Sequence, residues 1–188
     1  VGTELVGKTI GIIGLGNIGL GVAKRAKAFG MRVIYYDIEL KRNVDVTYVP
    51  LDQLLKESDV ISIHAALTPE ARGMIGAKEL ALMKKGSFLV NAARGGIVDE
   101  KELIKALAEG RIAGAALDVL EMEPPDPDNP LFKMDNVIVT PHIAAYTVEA
   151  IRRMDLTVAE DIMRVLRGKK PKHIANPEVL KSVSLSLT

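Results

Sequence analysis

The sequence predicts an α/β protein built on a doubly wound parallel sheet of about seven strands. Short apolar, β-branched segments alternate along the 188 residues with longer segments whose apolar residues recur at helical spacing. No internal repeat or low-complexity segment interrupts this alternation, and a glycine-rich turn joins the first strand to the first helix. Strands separated by helices pair in parallel, with helices covering the faces of the sheet.

The first three elements form a β-α-β unit. Thr9–Ile13 is apolar and β-branched and predicts a buried strand. Asn17–Phe29 carries apolar residues on one face at helical spacing and predicts a helix. Arg32–Tyr36 predicts the second strand, which ends beside the acid Asp37.

The later elements continue the alternation of strands and helices. Predicted strands cover residues 46–49, 60–64, 87–91, 112–117 and 137–140. Predicted helices cover residues 52–57, 77–84, 99–109 and 148–166. Asp99, with Glu102 three residues later, predicts a capping box at the start of the helix over 99–109.

Three glycines, Gly14, Gly16 and Gly19, follow the first strand in the spacing G-x-G-x-x-G. Between a strand and a helix, with Asp37 ending the second strand, this spacing is typical of a Rossmann-type unit that binds a dinucleotide. We expect a tight turn at Gly14, close approach of pyrophosphate at Gly16 and helix-on-strand packing at Gly19. The free N–H groups of the helix N-terminus favour the diphosphate. The alternative interpretation is a glycine-rich turn that binds nothing.

Asp37 also indicates which dinucleotide binds. A carboxylate at the end of the second strand accepts hydrogen bonds from the adenosine ribose and repels a 2′-phosphate, and Glu39 adds a second negative charge. Lys41 and Arg42 follow closely, and they either offset part of this repulsion or are solvated loop charges. The sequence therefore predicts NAD as the cofactor.

Composition and charge restrict the possible partners. Lysine and arginine total 25 and aspartate and glutamate 24, so the net charge of +1 offers no electrostatic attraction to nucleic acid or an anionic membrane. No apolar run approaches the ~18 residues of a transmembrane helix, and Val1–Glu4 does not resemble a signal peptide. The chain has no cysteine, and its histidines lack the spacing of a metal site. We therefore expect a cytoplasmic protein without a metal.

Ligands bind beyond the carboxyl ends of strands in a doubly wound sheet, and three predicted strand ends carry unusual side chains. Arg94 lies between small residues and two glycines, which let a substrate approach its guanidinium. Glu123 closes the segment that begins at Asp118, after the sixth strand. His142 follows Pro141 after the last strand, so it projects from a stiffened backbone.

These three groups match the needs of ketone reduction by a nicotinamide cofactor. Arg94 would hold the carboxylate and carbonyl oxygen of a 2-oxo acid. His142 would give a proton to the developing alkoxide, and Glu123 would fix the tautomer of the histidine. Each group also has a simpler interpretation, as a solvated charge, a loop carboxylate or a structural histidine. Their arrangement at neighbouring strand ends favours the catalytic interpretation.

Five segments of the chain resemble the D-isomer-specific 2-hydroxyacid dehydrogenase family. They are Gly7–Gly19, His64–Glu70, Asn91–Asp99, Asp118–Pro124 and Thr140–Ile143. The resemblance covers residues 1–180 and is specific because the motifs occur in the right order. It implies that Arg94 binds substrate and that His142 is the acid/base. Glu123 would be the partner of His142, and Glu121 is the weaker candidate for that role.

The resemblance also implies a set of cofactor contacts. Asn17 and Ile18 would touch the pyrophosphate, and Asp37 the ribose. Asp118 would accept a hydrogen bond from the nicotinamide carboxamide. Further contacts along the cofactor would come from Ala65, Ala92, Ala93, Arg94 and His142.

Members of this family are longer chains with a split substrate domain. The resemblance therefore implies that this chain contains segments of two domains. Residues 1–170 would be the dinucleotide-binding domain, and residues 171–188 the C-terminal return of a substrate domain whose N-terminal part is absent. The expected function is hydride transfer between NAD and a D-2-hydroxy or 2-oxo acid, of the glyoxylate, hydroxypyruvate or 3-phosphohydroxypyruvate type, in a homodimer. The alternative is a non-catalytic NAD(H)-binding regulatory or corepressor module of the same fold.

Overall fold

The computed structural model describes residues 2–181 and contains alternating strands and helices. The strands are β1 Thr9–Ile13, β2 Arg32–Tyr36, β3 Thr47–Tyr48, β4 Val60–Ile63, β5 Phe88–Asn91, β6 Gly114–Leu117 and β7 Val137–Val139. The α-helices are α1 Asn17–Ala28, α2 Leu51–Glu57, α3 Ala77–Leu82, α4 Glu100–Ala108 and α5 Val148–Leu166. Short 3-10 turns cover Gly95–Ile97, Pro130–Lys133 and Pro177–Lys181.

The strands form one parallel sheet in the order β3-β2-β1-β4-β5-β6-β7. From β1 the chain builds outward first through β2 and β3, and then returns to the other side of β1 with β4. This reversal is the switch point at which doubly wound sheets bind ligands. The predicted α/β fold with about seven parallel strands is confirmed.

Buried side chains lie on both faces of the sheet because successive strand residues point to opposite sides. On one face, Ile10 and Ile12 pack with Ala23 and Ala26 of α1. On the other face, Ile13 belongs to a larger cluster that takes in residues of α2, α3 and α4. The central strands β1, β4, β5 and β6 are mostly apolar and buried, as expected for a sheet covered on both sides.

Element ends differ from the predicted ones by a few residues. The strand predicted over 112–117 begins at Gly114, because the turn after α4 extends further than its sequence suggests. Gly110 is left-handed there (φ 63°), and the N–H of Arg111 donates to the carbonyl of Ala106. Half of the predicted capping box of α4 is present, since the side chain of Asp99 accepts a hydrogen bond from the N–H of Glu102 at 3.1 Å, whereas the N–H of Asp99 donates to the carbonyl of Ile75 and not to the Glu102 side chain.

Residues up to Ala144 form one compact unit, and residues from Ala145 form a second. The second contains α5, which covers the predicted range and ends at a left-handed Gly168 (φ 71°). The carboxylate of Asp161 accepts hydrogen bonds from the N–H groups of Lys172 and His173 and so ties the following segment to the helix. The predicted domain boundary at residue 170 stays a prediction. Of the predicted return segment 171–188, residues 182–188 lie outside the described residues. None of the helices between residues 2 and 181 has the length and apolarity needed to cross a membrane.

Candidate active site

The glycine-rich turn after β1 packs against the end of β4. Gly14 has a left-handed backbone (φ 90°), and a Cβ there would lie 2.6 Å from the N atom of Ala65. Its own N–H donates to the carbonyl of Tyr36 at 2.8 Å. The predicted tight turn is therefore present, and its close packing brings Gly14, Tyr36 and Ala65 together.

The start of α1 is open to a ligand. Gly16 is the N-cap residue and offers no side-chain hydrogen bond, and the first turn contains no acidic residue. Apart from its neighbours in the chain, no residue among 2–181 has an atom within 4 Å of a Cβ built at Gly16, so packing among these residues does not demand glycine at that position. Asn17 and Ile18 are exposed beside it. These features fit a pyrophosphate bound by the helix N-terminus.

The carboxylate of Asp37 links β2 to the glycine-rich turn. It accepts hydrogen bonds from the N–H of Leu15 at 2.8 Å and from the N–H of Glu39 at 3.1 Å. The Nζ of Lys41 lies 3.8 Å from the same carboxylate and 3.2 Å from that of Glu39. The hydrogen bond with Glu39 is the main cause of a raised pKa for Lys41. Of the two interpretations of Lys41, the structure thus favours a cation that partly neutralises both carboxylates.

A cavity of about 460 Å³ opens between this turn and the segment after β4. Asp37 is one of its lining residues, and most of the others are small or apolar, among them Gly14, Gly16, Ile38, Ala65 and Ala71. Nearby, Ser62 and the Nε2 of His64 lie 2.9 Å apart, and burial lowers the pKa of His64. The apolar walls and the carboxylate among them suit an adenosine group.

Asn91, at the end of β5, holds the loop that carries Arg94. Its side chain is buried, donates to the carbonyl of Arg94 at 3.0 Å and accepts from the N–H of Ala93 at 3.1 Å. The Arg94 guanidinium is exposed and donates to the carbonyl of Ala93 at 2.6 Å. A Cβ at Gly95 would overlap the carbonyl of Leu120. Position 95 therefore has to be glycine for the Arg94 loop to meet the segment after β6.

His142 and Glu123 form a direct pair. The Nδ1 of His142 lies 2.9 Å from a carboxylate oxygen of Glu123, and both side chains are partly exposed. The other carboxylate oxygen accepts a weak hydrogen bond from the N–H of Leu120 at 3.4 Å. Glu121 instead uses its backbone N–H to bind Glu100. The structure thus pairs His142 with Glu123, the preferred candidate, and not with Glu121.

Asp118 organises the backbone around His142. Its carboxylate accepts hydrogen bonds from the Oγ1 of Thr140 at 2.6 Å and from the N–H groups of Ile143 and Ala144, each at 2.8 Å. Burial acts to raise the pKa of Asp118, but these hydrogen bonds outweigh it and hold the pKa below its usual value. No sequence pattern indicates this clamp, because its partners lie 22 to 26 residues away.

A second cavity, of about 420 Å³, lies beside this pair and is lined by Asp118, Glu123, Pro124, Phe132, Thr140 and His142 among others. Among residues 2–181, no group of three or more His, Cys, Asp or Glu side chains is placed to hold a metal ion. The site that the strand ends form is thus a set of one arginine, one histidine–carboxylate pair and a helix N-terminus.

A match to a protein-family model shows which family the chain belongs to. The model described as "D-isomer specific 2-hydroxyacid dehydrogenase, NAD binding domain" matches residues 1–144. The chain belongs to this family. The matched residues coincide with the first compact unit, and the chain contains the family's NAD-binding domain, with NAD as the cofactor.

Several relatives of the 2-hydroxyacid dehydrogenase family are similar over nearly the whole chain. A glyoxylate reductase of Korarchaeum cryptofilum is 48% identical over 185 residues, which cover 96% of this chain and 56% of that protein. A D-3-phosphoglycerate dehydrogenase of Methanocaldococcus jannaschii is 51% identical over 180 residues, 93% of this chain and 34% of that protein. The chain thus spans about half, or less, of the length of these relatives.

A solved structure of a family member has the same fold as this chain. The NAD-complexed D-isomer-specific 2-hydroxyacid dehydrogenase of Lactobacillus delbrueckii ssp. bulgaricus is 40% identical, with a TM-score of 0.88 over 94% of this chain and 58% of that one. The open space at Gly16 and the cavity bordered by Asp37 fit the same cofactor here.

Proposed function

We propose that this domain serves an NAD-dependent oxidoreductase that interconverts D-2-hydroxy acids and 2-oxo acids. The observation that carries the proposal is the 2.9 Å contact between His142 and Glu123, at the same sheet edge as the Arg94 loop and the glycine-rich turn. Bound NAD supplies the hydride acceptor or donor for such a reaction. The side chains of the chain itself supply proton transfer and substrate binding.

His142 acts as the acid/base in this proposal. Glu123 accepts a hydrogen bond from Nδ1–H, which leaves Nε2 to give a proton to the carbonyl oxygen during reduction and to remove one from the hydroxyl during oxidation. Asp118 holds the backbone on both sides of His142, so the ring stays in place as the proton moves.

Arg94 binds the carboxylate of the substrate in this proposal. Its backbone is fixed by Asn91, whereas its guanidinium is exposed and has only the Ala93 carbonyl as a hydrogen-bond partner among the described residues. A planar guanidinium matches a carboxylate with two parallel hydrogen bonds. A 2-oxo acid held there presents its carbonyl carbon to the cofactor.

For the cofactor we propose the contacts that the sequence predicted. Pyrophosphate binds at the turn and helix start, ribose at Asp37, and nicotinamide towards Asp118. Because the Asp118 carboxylate already accepts three hydrogen bonds within the protein, a carboxamide contact would use its remaining lone pair. The proposed contact residues are Gly14, Gly16, Asn17, Ile18, Gly19, Asp37, Ala65, Ala92, Ala93, Arg94, Asp118 and His142.

The substrate class follows from the relatives. Their names point to glyoxylate and 3-phosphoglycerate chemistry, and hydroxypyruvate is a third candidate of the same type. We further propose a homodimer and a cytoplasmic location for the complete protein. We also propose that residues 171–188 belong to a substrate-binding part of the complete protein.

The test is turnover of a panel of 2-oxo acids with NADH by the complete enzyme. We expect reduction of at least one of glyoxylate, hydroxypyruvate and 3-phosphohydroxypyruvate. Glu123→Gln should lower kcat in the same assay, because an amide oxygen accepts a weaker hydrogen bond from Nδ1–H of His142 than a carboxylate does. NADH binding without any turnover would favour a regulatory module instead.

A further inference from the structure

A single carboxylate at the start of α4 holds both ends of the loop that carries Glu123. One Glu100 oxygen accepts a hydrogen bond from the N–H of Glu121 at 2.9 Å. The other accepts one from the side-chain amide of Asn129 at 2.7 Å. Glu123 lies between these two anchor points in the sequence.

Asn129 extends this connection into the fold. It is buried, and its side-chain oxygen accepts a hydrogen bond from the N–H of Leu131 at 3.0 Å, which caps the 3-10 turn Pro130–Lys133. Leu131 belongs to the main hydrophobic cluster. The loop is therefore fixed to the core at Asn129, through Leu131. At its other end it is fixed by the hydrogen bond from the N–H of Glu121 to Glu100.

The Glu100 side chain is also close to the Arg94 loop. Glu100, Gly95 and Leu120 line the same narrow cleft, and Gly95 is packed directly against the carbonyl of Leu120. Leu120 in turn donates its N–H to Glu123. The anchor is thus built at the contact between the two loops that carry the proposed substrate and acid/base residues.

From this geometry we infer that Glu100, with Asn129, is a positioning residue for the reaction. It sets the place of Glu123, and thereby the orientation of His142, without touching substrate or cofactor. The inference rests on the proposed function, because it assigns Glu100 an effect on turnover that passes through Glu123. A mutation that misplaces a reacting group by about 1 Å, even from a distance, can cost about 100-fold in rate.

The hydrogen-bond polarity allows a matched rescue. In Glu100→Gln, an amide nitrogen faces the donating amide of Asn129, and in Asn129→Asp two carboxylates face each other. When both substitutions are combined, the new amide nitrogen at position 100 donates to the new carboxylate at position 129. The amide oxygen at position 100 still accepts from the N–H of Glu121, and the second carboxylate oxygen at position 129 accepts from the N–H of Leu131. The double variant therefore keeps all three hydrogen bonds, one of them with reversed polarity, and has the net charge of the original chain.

The experiment measures kcat, the KM of the oxo acid and NADH affinity in the complete enzyme, for both single variants and the double variant. Glu102→Gln is the control, since the Glu102 side chain lies on the same helix and makes no hydrogen bond or ion pair within residues 2–181. We expect kcat to fall about tenfold in each single variant and to return to within about twofold in the double variant. NADH affinity should stay unchanged in all of them.

A cycle with Glu123→Gln separates positioning from a general loss of structure. If Glu100 acts through Glu123, then Glu100→Gln lowers kcat by less than about twofold in the Glu123→Gln background. Equal losses in both backgrounds, or no rescue in the double variant, would overturn the inference. If Glu123→Gln and His142→Ala leave turnover unchanged, the proposed function itself fails.

Amide hydrogen exchange in the 188-residue chain gives a measurement that does not depend on turnover. Glu100→Gln and Asn129→Asp should speed exchange at Leu120 and Leu131, whose N–H groups bind Glu123 and Asn129. Glu102→Gln should not. Unchanged exchange at both sites in both single variants would contradict the anchoring role.

Discussion

Asp118 holds the backbone of His142 in a left-handed conformation. The carbonyl of Asp118 accepts a hydrogen bond from the N–H of His142 at 2.9 Å, and its carboxylate binds Thr140 on one side and Ile143 on the other. His142 has φ 56°, a conformation that costs energy for a residue with a side chain. The hydrogen bonds of Asp118 offset that cost at the residue that the proposed reaction needs most.

Asp118→Asn should lower the free energy of unfolding by about 1–3 kcal/mol at neutral pH, because an amide cannot accept all of the bonds that the carboxylate accepts. Chemical denaturation of the 188-residue chain measures this loss. Asp135→Asn is the control, since Asp135 is exposed. Equal stabilities of Asp118→Asn and the original chain would show that the clamp contributes nothing.

The same clamp predicts a pH dependence. Because the pKa of Asp118 is lowered in the folded protein, its stabilisation is complete above the usual carboxyl pKa of about 3.9. It declines as the pH falls through the lower pKa of the folded state. The stability difference between the original chain and Asp118→Asn should therefore shrink towards zero in acid, and a difference that grows below about pH 4 would contradict the assignment.

Asp37 should make the domain prefer NAD over NADP. An unpaired 2′-phosphate beside this carboxylate costs ~2 kcal/mol, or about 30-fold in affinity. Asp37→Ala should narrow the preference for NAD over NADP mainly by lowering the affinity for NAD, since the substitution also removes the hydrogen-bond acceptor of the Leu15 N–H. Calorimetric titration with both cofactors measures this, with Asp135→Ala as control, because Asp135 is exposed and lies outside the proposed cofactor site. Equal affinities in the original chain would refute the role of Asp37.

Gly95→Ala should strongly destabilise the chain. The added methyl would overlap the carbonyl of Leu120, which is backbone and cannot rotate away. Overpacking of this kind costs about 1–3 kcal/mol or more. Gly21→Ala is the matched control, because a Cβ at Gly21 in α1 would meet the flexible end of the Arg25 side chain at 3.4 Å and no other group among residues 2–181 outside the helix backbone, and alanine favours a helix. Thermal unfolding that ranks the two variants equally would mean that the loops separate without cost.

Local sequence patterns account for most of the fold. The helix over Val148–Leu166 and the strands Thr9–Ile13 and Arg32–Tyr36 have the predicted bounds, because apolar spacing and cap residues are local signals. The strand-end rule also brought together Glu123 and His142, which the structure places 2.9 Å apart. Parallel strand ends meet at one edge of a sheet whatever the details of the loops.

The supporting hydrogen bonds could not be predicted in this way. Glu100 and Asn129 are 29 residues apart, and neither residue type nor spacing indicates that they meet. The clamp at Asp118 likewise depends on how β6 and β7 pair and on the left-handed turn at His142. Such contacts follow from tertiary packing and leave no periodic signal in the sequence.

The most direct test of the central claim is His142→Ala in the complete enzyme, assayed for oxo-acid reduction and for NADH binding. Our account predicts that kcat falls about 100-fold or more while the dissociation constant of NADH changes little, because His142 moves the proton and other residues hold most of the cofactor. Reduction at the original rate in His142→Ala would contradict the assignment of the acid/base, and with it the proposed function.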